Sequence, residues 1–141
     1  EFEMNTSTST SQEEVIETFD LFDDWLEKYQ YIIDLGKKLP PIDEAHKVDK
    51  NLLQGCQSQV WLIHELKDGE LIFEANSDAA IVSGLVSLVL SIYSGQTPRA
   101  VIDTEPEFIE KIGLSSHLSS TRSNGLNAMI AKIKSTAQLY I

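Results

Sequence analysis

Val60-Trp61-Leu62-Ile63-His64-Glu65-Leu66-Lys67-Asp68-Gly69-Glu70-Leu71-Ile72-Phe73-Glu74-Ala75 reads as a β-hairpin. Val60 to Ile63 is a β-favouring run, and the apolar returning run from Glu70 to Ala75 answers it across a two-residue link. Asp68-Gly69 is the kind of pair that turns two strands tightly, because both central residues of such a turn need positive φ. On the N-terminal side, Asn51-Leu52-Leu53-Gln54 is a further short stretch, expected to add a third strand before Gly55-Cys56.

Helical spacing surrounds this hairpin. Val15, Phe19, Phe22, Leu26, Tyr29, Ile32, Ile33 and Leu35 recur at helical intervals. Ser11 is the expected N-cap, Glu13, Glu14 and Glu17 favour the positive end of the dipole, and Gly36 followed by Pro40-Pro41 is expected to stop the pattern. One long helix and two short ones meeting near residues 21–24 both fit the spacing. A second helix is expected over 79–93 with Ser77 or Asp78 as cap, and a third over about 105–112, ended by Gly113. A final amphipathic helix is expected from Ser120 or Thr121, with Leu126, Met129, Ile130 and Ile133 on one face. About three antiparallel strands among helices make an α+β fold.

The 141 residues fit one domain with its own core. Residues 1–10 are expected to be a disordered lead-in and residues 11–141 the single domain; Glu1-Phe2-Glu3, ahead of Met4, read as a cloning remnant. The Ser/Thr-rich stretch from Asn5 to Gln12 has neither the basic residues nor the apolar run of a secretory signal. The most apolar segment, 79–93, is shorter than the ~20 residues of a membrane-spanning helix and contains four Ser/Gly positions. A cytoplasmic protein is the expectation, with no membrane partner.

A net charge of −11 argues against nucleic acid, whose binding is driven by phosphate neutralisation. The charge is uneven: residues 1–50 hold 13 Asp/Glu against five Lys, whereas from Gly113 onward there is no acid at all. Such asymmetry biases the approach of partners, although most surface charge serves only solubility.

One cysteine excludes an internal disulfide and cannot by itself hold an iron–sulfur cluster. A free cysteine is more often an inert core residue than a reactive one. Here the context differs, since Gly55, Gln57, Ser58 and Gln59 suit a turn between apolar segments. A thiol at the tip of a loop, with Leu53 and Val60 to shelter it, suits sulfur relay. Thiol exchange needs an accessible thiolate and some positive potential. His46, Lys47, Lys50, His64 and Arg122 are candidates for supplying it. The three histidines, His46, His64 and His117, lack metal-ligand spacing, so no metal site is expected. Ser83-Gly84 and Ser94-Gly95 read as ordinary breakers, and Trp25 and Trp61 as packing aromatics. A Cys–His hydrolase built on Cys56 with His64 or His117 is one alternative; a binding module without sulfur chemistry is another.

Leu53-Gln54-Gly55-Cys56-Gln57-Ser58-Gln59-Val60-Trp61-Leu62 resembles the cysteine loop of the SufE proteins. Three further blocks are similar to that family, in the same order. They are Trp25 with 28–33 and 35–40, Ser77-Asp78-Ala79-Ala80-Ile81-Val82-Ser83-Gly84-Leu85, and Leu114 with 117–126. The resemblance implies an IscU/SufE-like fold and a sulfur acceptor that activates a cysteine desulfurase. Cys56 would carry the sulfur as a persulfide to an iron–sulfur cluster assembly scaffold. It implies two partners, a SufS-like desulfurase and a SufBCD-like scaffold, and leaves a homodimer open. Pyridoxal phosphate (PLP) would belong to the desulfurase, with no cofactor bound here. The related CsdE branch shares the fold; Gln57-Ser58-Gln59 and Asp78-Ala79-Ala80 look closer to SufE. Gly55, Gln57, Ser58, Asp78 and Arg122 are carried over as loop-supporting or partner-binding positions. Asp78 reads equally as a helix cap. A cation at a helix start is not favoured, which points Arg122 to another task, such as holding the loop or touching the desulfurase.

Overall fold

The computed structural model describes residues 12–56 and 58–141. The lead-in over 1–10, the Ser11 cap and Gln57 lie outside the described residues. The hairpin forms as β1 (Val60–Lys67) and β2 (Glu70–Ser77), antiparallel, with Lys67 opposite Glu70 and Val60 opposite Ser77. Asp68 and Gly69 adopt φ of 52° and 83°, the positive values that a two-residue turn matched to strand twist requires. Val60, Leu71, Phe73 and Ala75 are buried, so one face of the ribbon packs inward.

The third strand does not form. Residues 49–51 are a 3-10 turn and residues 54–55 turn again, leaving only Leu52 and Leu53 extended between them. They contribute a single bridge, Leu52 to Trp61, and one bond from the Leu53 N–H to the Val60 carbonyl at 2.8 Å. The sheet among the described residues is therefore two-stranded.

The N-terminal helical pattern is two helices, α1 (Gln12–Asp20) and α2 (Trp25–Lys37). Asp24 divides them, its side chain accepting from the Glu27 N–H at 2.9 Å as an N-cap. Phe19 and Phe22 then fold onto Tyr31, with ring centroids 5.3 and 5.1 Å away. Gly36 is not a stop. It lies inside α2, where an added Cβ would stand 2.7 Å from the Gly84 nitrogen and 2.9 Å from Ser83 Cβ.

Gly84 is likewise no breaker but the middle of α3 (Ala80–Tyr93), and a Cβ there would lie 2.0 Å from the Ile32 carbonyl oxygen. The two glycines let α2 and α3 touch backbone to backbone. Helix α3 is apolar almost all round, as a central helix must be, with Leu85, Leu88, Val89, Ile92 and Tyr93 buried. It lies between α2 and the hairpin.

Two short helices follow, α4 (Pro98–Asp103) and α5 (Glu107–Ile112), the latter ended by Gly113. Sequence reading missed α4, although Thr97-Pro98 is a good start signal: Thr97 Oγ1 accepts from the Ala100 N–H at 3.2 Å, and proline needs no donor at the first helical position. One turn, α6 (Leu114–His117), leads to α7 (Ser120–Gln138). The expected face of α7, Leu126, Met129, Ile130 and Ile133, is buried against α3 and α4. No helix among the described residues is long and apolar enough to cross a membrane.

Candidate functional site: a half-buried thiol in a cavity

Cys56 follows directly on Gly55, whose φ of 89° turns the chain from Leu53 back toward β1. A side chain at 55 would strain that φ and press on Ala128 Cβ at 3.3 Å. The loop thus lies flat against α7. The Cys56 thiol is half-buried and donates toward the Gly125 carbonyl at 3.7 Å. Gly125 makes that seat, because a Cβ on it would stand 3.2 Å from the sulfur.

The sulfur faces a cavity of about 380 Å³ between the loop, α3 and α7. Its walls are apolar: Leu53, Val60, Val82, Leu85, Leu126 and Met129. Ser58, Ser119, Thr121 and Arg122 supply the polar part. Burial pushes the thiol above its ordinary value of 9.0, because charge is costly to remove from water. At rest the site holds a protonated, sheltered thiol.

Of the five cations considered from sequence, only Arg122 lines this cavity. It is held at the start of α7, where Ser119 Oγ accepts from its backbone N–H at 3.2 Å. Its guanidinium makes no ion pair among the described residues. Lys47 lies instead over the Trp61 ring, 5.7 Å from the centroid, and pairs with Glu44 at 2.8 Å. His64 meets the Tyr140 hydroxyl at 2.9 Å. His117 stacks on Trp25 with centroids 3.9 Å apart, its Nδ1 3.0 Å from the Gly113 carbonyl. No histidine lines the cavity, so a Cys–His pair has no structural basis among the described residues.

Asp78 is not the cap of α3. Ala79 occupies that position without a side-chain bond, and the Asp78 carboxylate accepts from the Gln59 N–H at 3.1 Å. The Asp78 N–H returns to the Gln59 carbonyl at 3.3 Å. Ser77 is not the cap either; its hydroxyl accepts from the Ala79 N–H at 3.3 Å, ahead of the helix. Asp78 therefore pins the C-terminal root of the cysteine loop, as Gly55 shapes its N-terminal one.

Gly125, Ser119 and Thr121 were not singled out as site residues from sequence. Gly125 did carry a weak signal, because a glycine inside a helical pattern costs about 1 kcal/mol relative to alanine and so invites a packing reason.

The SufE family profile, described as an Fe-S metabolism associated domain, matches residues 13–137. This chain belongs to the SufE family. It is 46% identical to an uncharacterized SufE-like protein of Rhizobium meliloti (strain 1021), over 92% of this chain and 96% of that protein. A second uncharacterized SufE-like protein, from Rhizobium etli, is 42% identical over 92% of this chain and 90% of its own length. The fold is also similar to the solution structure of a hypothetical protein from Thermus thermophilus. That match has a TM-score of 0.75 at 19% identity and covers 91% of this chain and 93% of the other. Membership of the SufE family associates the chain with iron–sulfur metabolism.

Proposed function

We propose that this protein is a cytoplasmic sulfur acceptor for a PLP-dependent cysteine desulfurase, carrying sulfur on Cys56 to a cluster-assembly scaffold. The observation that carries this reading is the seat of Cys56: a lone thiol on a loop, held against Gly125 and opening on an apolar cavity. Among the described residues no histidine or carboxylate lines that cavity; a relay needs none, because the reacting partner supplies the activated sulfur.

In the transfer, the Cys56 thiol loses its proton and the thiolate attacks the outer sulfur of the desulfurase persulfide. One S–S bond forms at Cys56 while the desulfurase S–S bond breaks, and the departing thiolate takes up a proton. There is no net oxidation. The apolar walls keep other thiols from the Cys56 persulfide until delivery. The raised thiol value fits this division of labour: the sulfur becomes nucleophilic only once a partner draws the loop out of the cavity. Gly55 and Ser58 shape the loop, Asp78 anchors it, and Arg122 offers charge to the thiolate or to the partner.

Incubation with a cysteine desulfurase and free cysteine is expected to add ~32 Da to Cys56 by mass spectrometry. Cys56→Ser should still bind the desulfurase but gain no mass. No adduct on the wild-type protein, with full desulfurase stimulation by Cys56→Ser, would sink the proposal.

A further inference from the structure

The outer edge of β1 is half finished. The Leu53 N–H bonds the Val60 carbonyl, which therefore points away from β2. Along an antiparallel strand these directions alternate, so Leu62, His64 and Leu66 also turn their N–H and C=O groups outward. The bridge from Leu52 to Trp61 turns the Leu62 N–H to the Asn51 carbonyl; beyond it, no backbone hydrogen bond reaches the Leu62 carbonyl or the outward groups of His64 and Leu66 among the described residues. The column that a third strand would fill is begun by Leu52 and Leu53, then vacated where residues 49–51 turn off.

A surface groove of about 590 Å³ lies in that place. Leu62, Ile63 and Leu139 give it apolar contacts. Lys50 and Lys132 stand in it without ion pairs among the described residues, and the imidazoles of His46 and His64 are beside them. Glu65 and Glu74 line the hairpin side. Lys132 belongs to a stretch of chain, from Gly113 onward, that contains no acid. A free strand edge ordinarily receives a charged guard or a partner strand. Here the unpaired cations stand on the walls contributed by residues 46–51 and α7.

We infer that this edge receives an extended segment of a partner protein, added as the third strand, with its acidic side chains toward Lys50 and Lys132. Main-chain bonds to the Leu62 carbonyl and to the N–H and C=O groups of His64 and Leu66 supply affinity, and the two lysines supply selection. The segment ends against Leu52, four residues before Cys56, so its docking bears on the N-terminal root of the cysteine loop. The inference rests on the sulfur-acceptor reading, whose two partners are the natural bearers of the segment.

The test is amide hydrogen exchange on the full chain. It is saturated first with cysteine desulfurase and separately with the cluster scaffold, with binding followed by calorimetry and Cys56 mass gain in parallel. At least tenfold slower exchange over 62–66 in one complex is expected. His64→Pro removes one outward N–H and spares the pairing with β2, so it should weaken that complex at least tenfold while His64→Ala does not. Lys132→Glu should weaken it as well. If His64→Pro fails to fold, exchange on the wild-type protein still decides. Complexes that form with unchanged exchange over 62–66 overturn this inference alone. No complex and no mass gain on Cys56 overturn the sulfur-acceptor reading, and this inference with it.

Discussion

The Cys56 sulfur lies 3.7 Å from the Gly125 carbonyl oxygen, and no side chain separates the loop from the helix. A methyl group at 125 would come within 3.2 Å of the sulfur, tighter than ordinary contact, so the loop must give by a few tenths of an ångström.

Gly125→Ala is therefore expected to loosen the closed loop. Two effects oppose each other in overall stability. Alanine favours the helix by about 0.8–1 kcal/mol over glycine, and crowding at the thiol costs about as much or more. The melting temperature should move little, while alkylation of Cys56 by iodoacetamide should speed up several-fold. Unchanged or slower alkylation would show that the loop absorbs the methyl group in place.

Burial alone raises the Cys56 value, and this fixes the sign of a pH effect. The closed loop holds its proton to higher pH than a solvated thiol does. The closed state is thus fully favoured below 9.0, and the preference is lost as pH rises through the raised value. Alkylation rate plotted from about pH 7 to about pH 11 should have its midpoint above 9.0. A midpoint below that would mean that the field of Arg122 outweighs desolvation.

Asp78→Asn keeps the shape of the side chain but removes the charge that the Gln59 N–H meets at 3.1 Å. Asp78→Ala removes the acceptor altogether. A hydrogen bond to a charged group contributes about 1.5–3 kcal/mol when shielded, and this one is exposed, so a loss of about 1 kcal/mol is expected for Ala and less for Asn. Exchange of the Gln59 amide should accelerate in the same order. If it does not, the return bond from the Asp78 N–H holds the loop root unaided.

The hairpin and the faces of the long helices were legible because period and turn chemistry are local. Asp68-Gly69 needs no knowledge of the rest of the chain, nor does the run of Leu126, Met129, Ile130 and Ile133. What was illegible depends on close approach. Gly36 and Gly84 read as punctuation, since a missing Cβ looks the same in a turn as in a helix crossing. Asp78 read as a cap because it stands just before a helix; its actual partner, Gln59, is 19 residues away and reached only once β1 pairs with β2. The third strand failed for a related reason. Two extended residues satisfy a pattern, but the turns on either side decide whether a ladder can grow. Cys56 itself was singled out by its loop context and by the family resemblance, whereas its seat on Gly125 needed the helix beside it.

The crossing of α2 and α3 should tolerate no side chain at its centre. A Cβ on Gly84 would sit 2.0 Å from the Ile32 carbonyl oxygen and 2.6 Å from its carbonyl carbon, both backbone atoms that cannot rotate aside. Relief requires the two helices to separate, which uncovers Ile32, wholly buried at present, and disturbs Leu85, a wall of the Cys56 cavity. The gain in helix propensity from Gly84→Ala, about 1 kcal/mol, is small beside an overpacking cost of roughly 3 kcal/mol or more. Thermal unfolding by circular dichroism should show a melting temperature lower by roughly 7 °C or more, given the net loss of about 2 kcal/mol and the 141-residue chain. The same substitution at Gly69, which has nothing within 4 Å, should cost only the backbone strain of its positive φ and leave the core and cavity as they are. Equal losses at the two sites would mean that backbone conformation, and not helix contact, is what glycine supplies at 84.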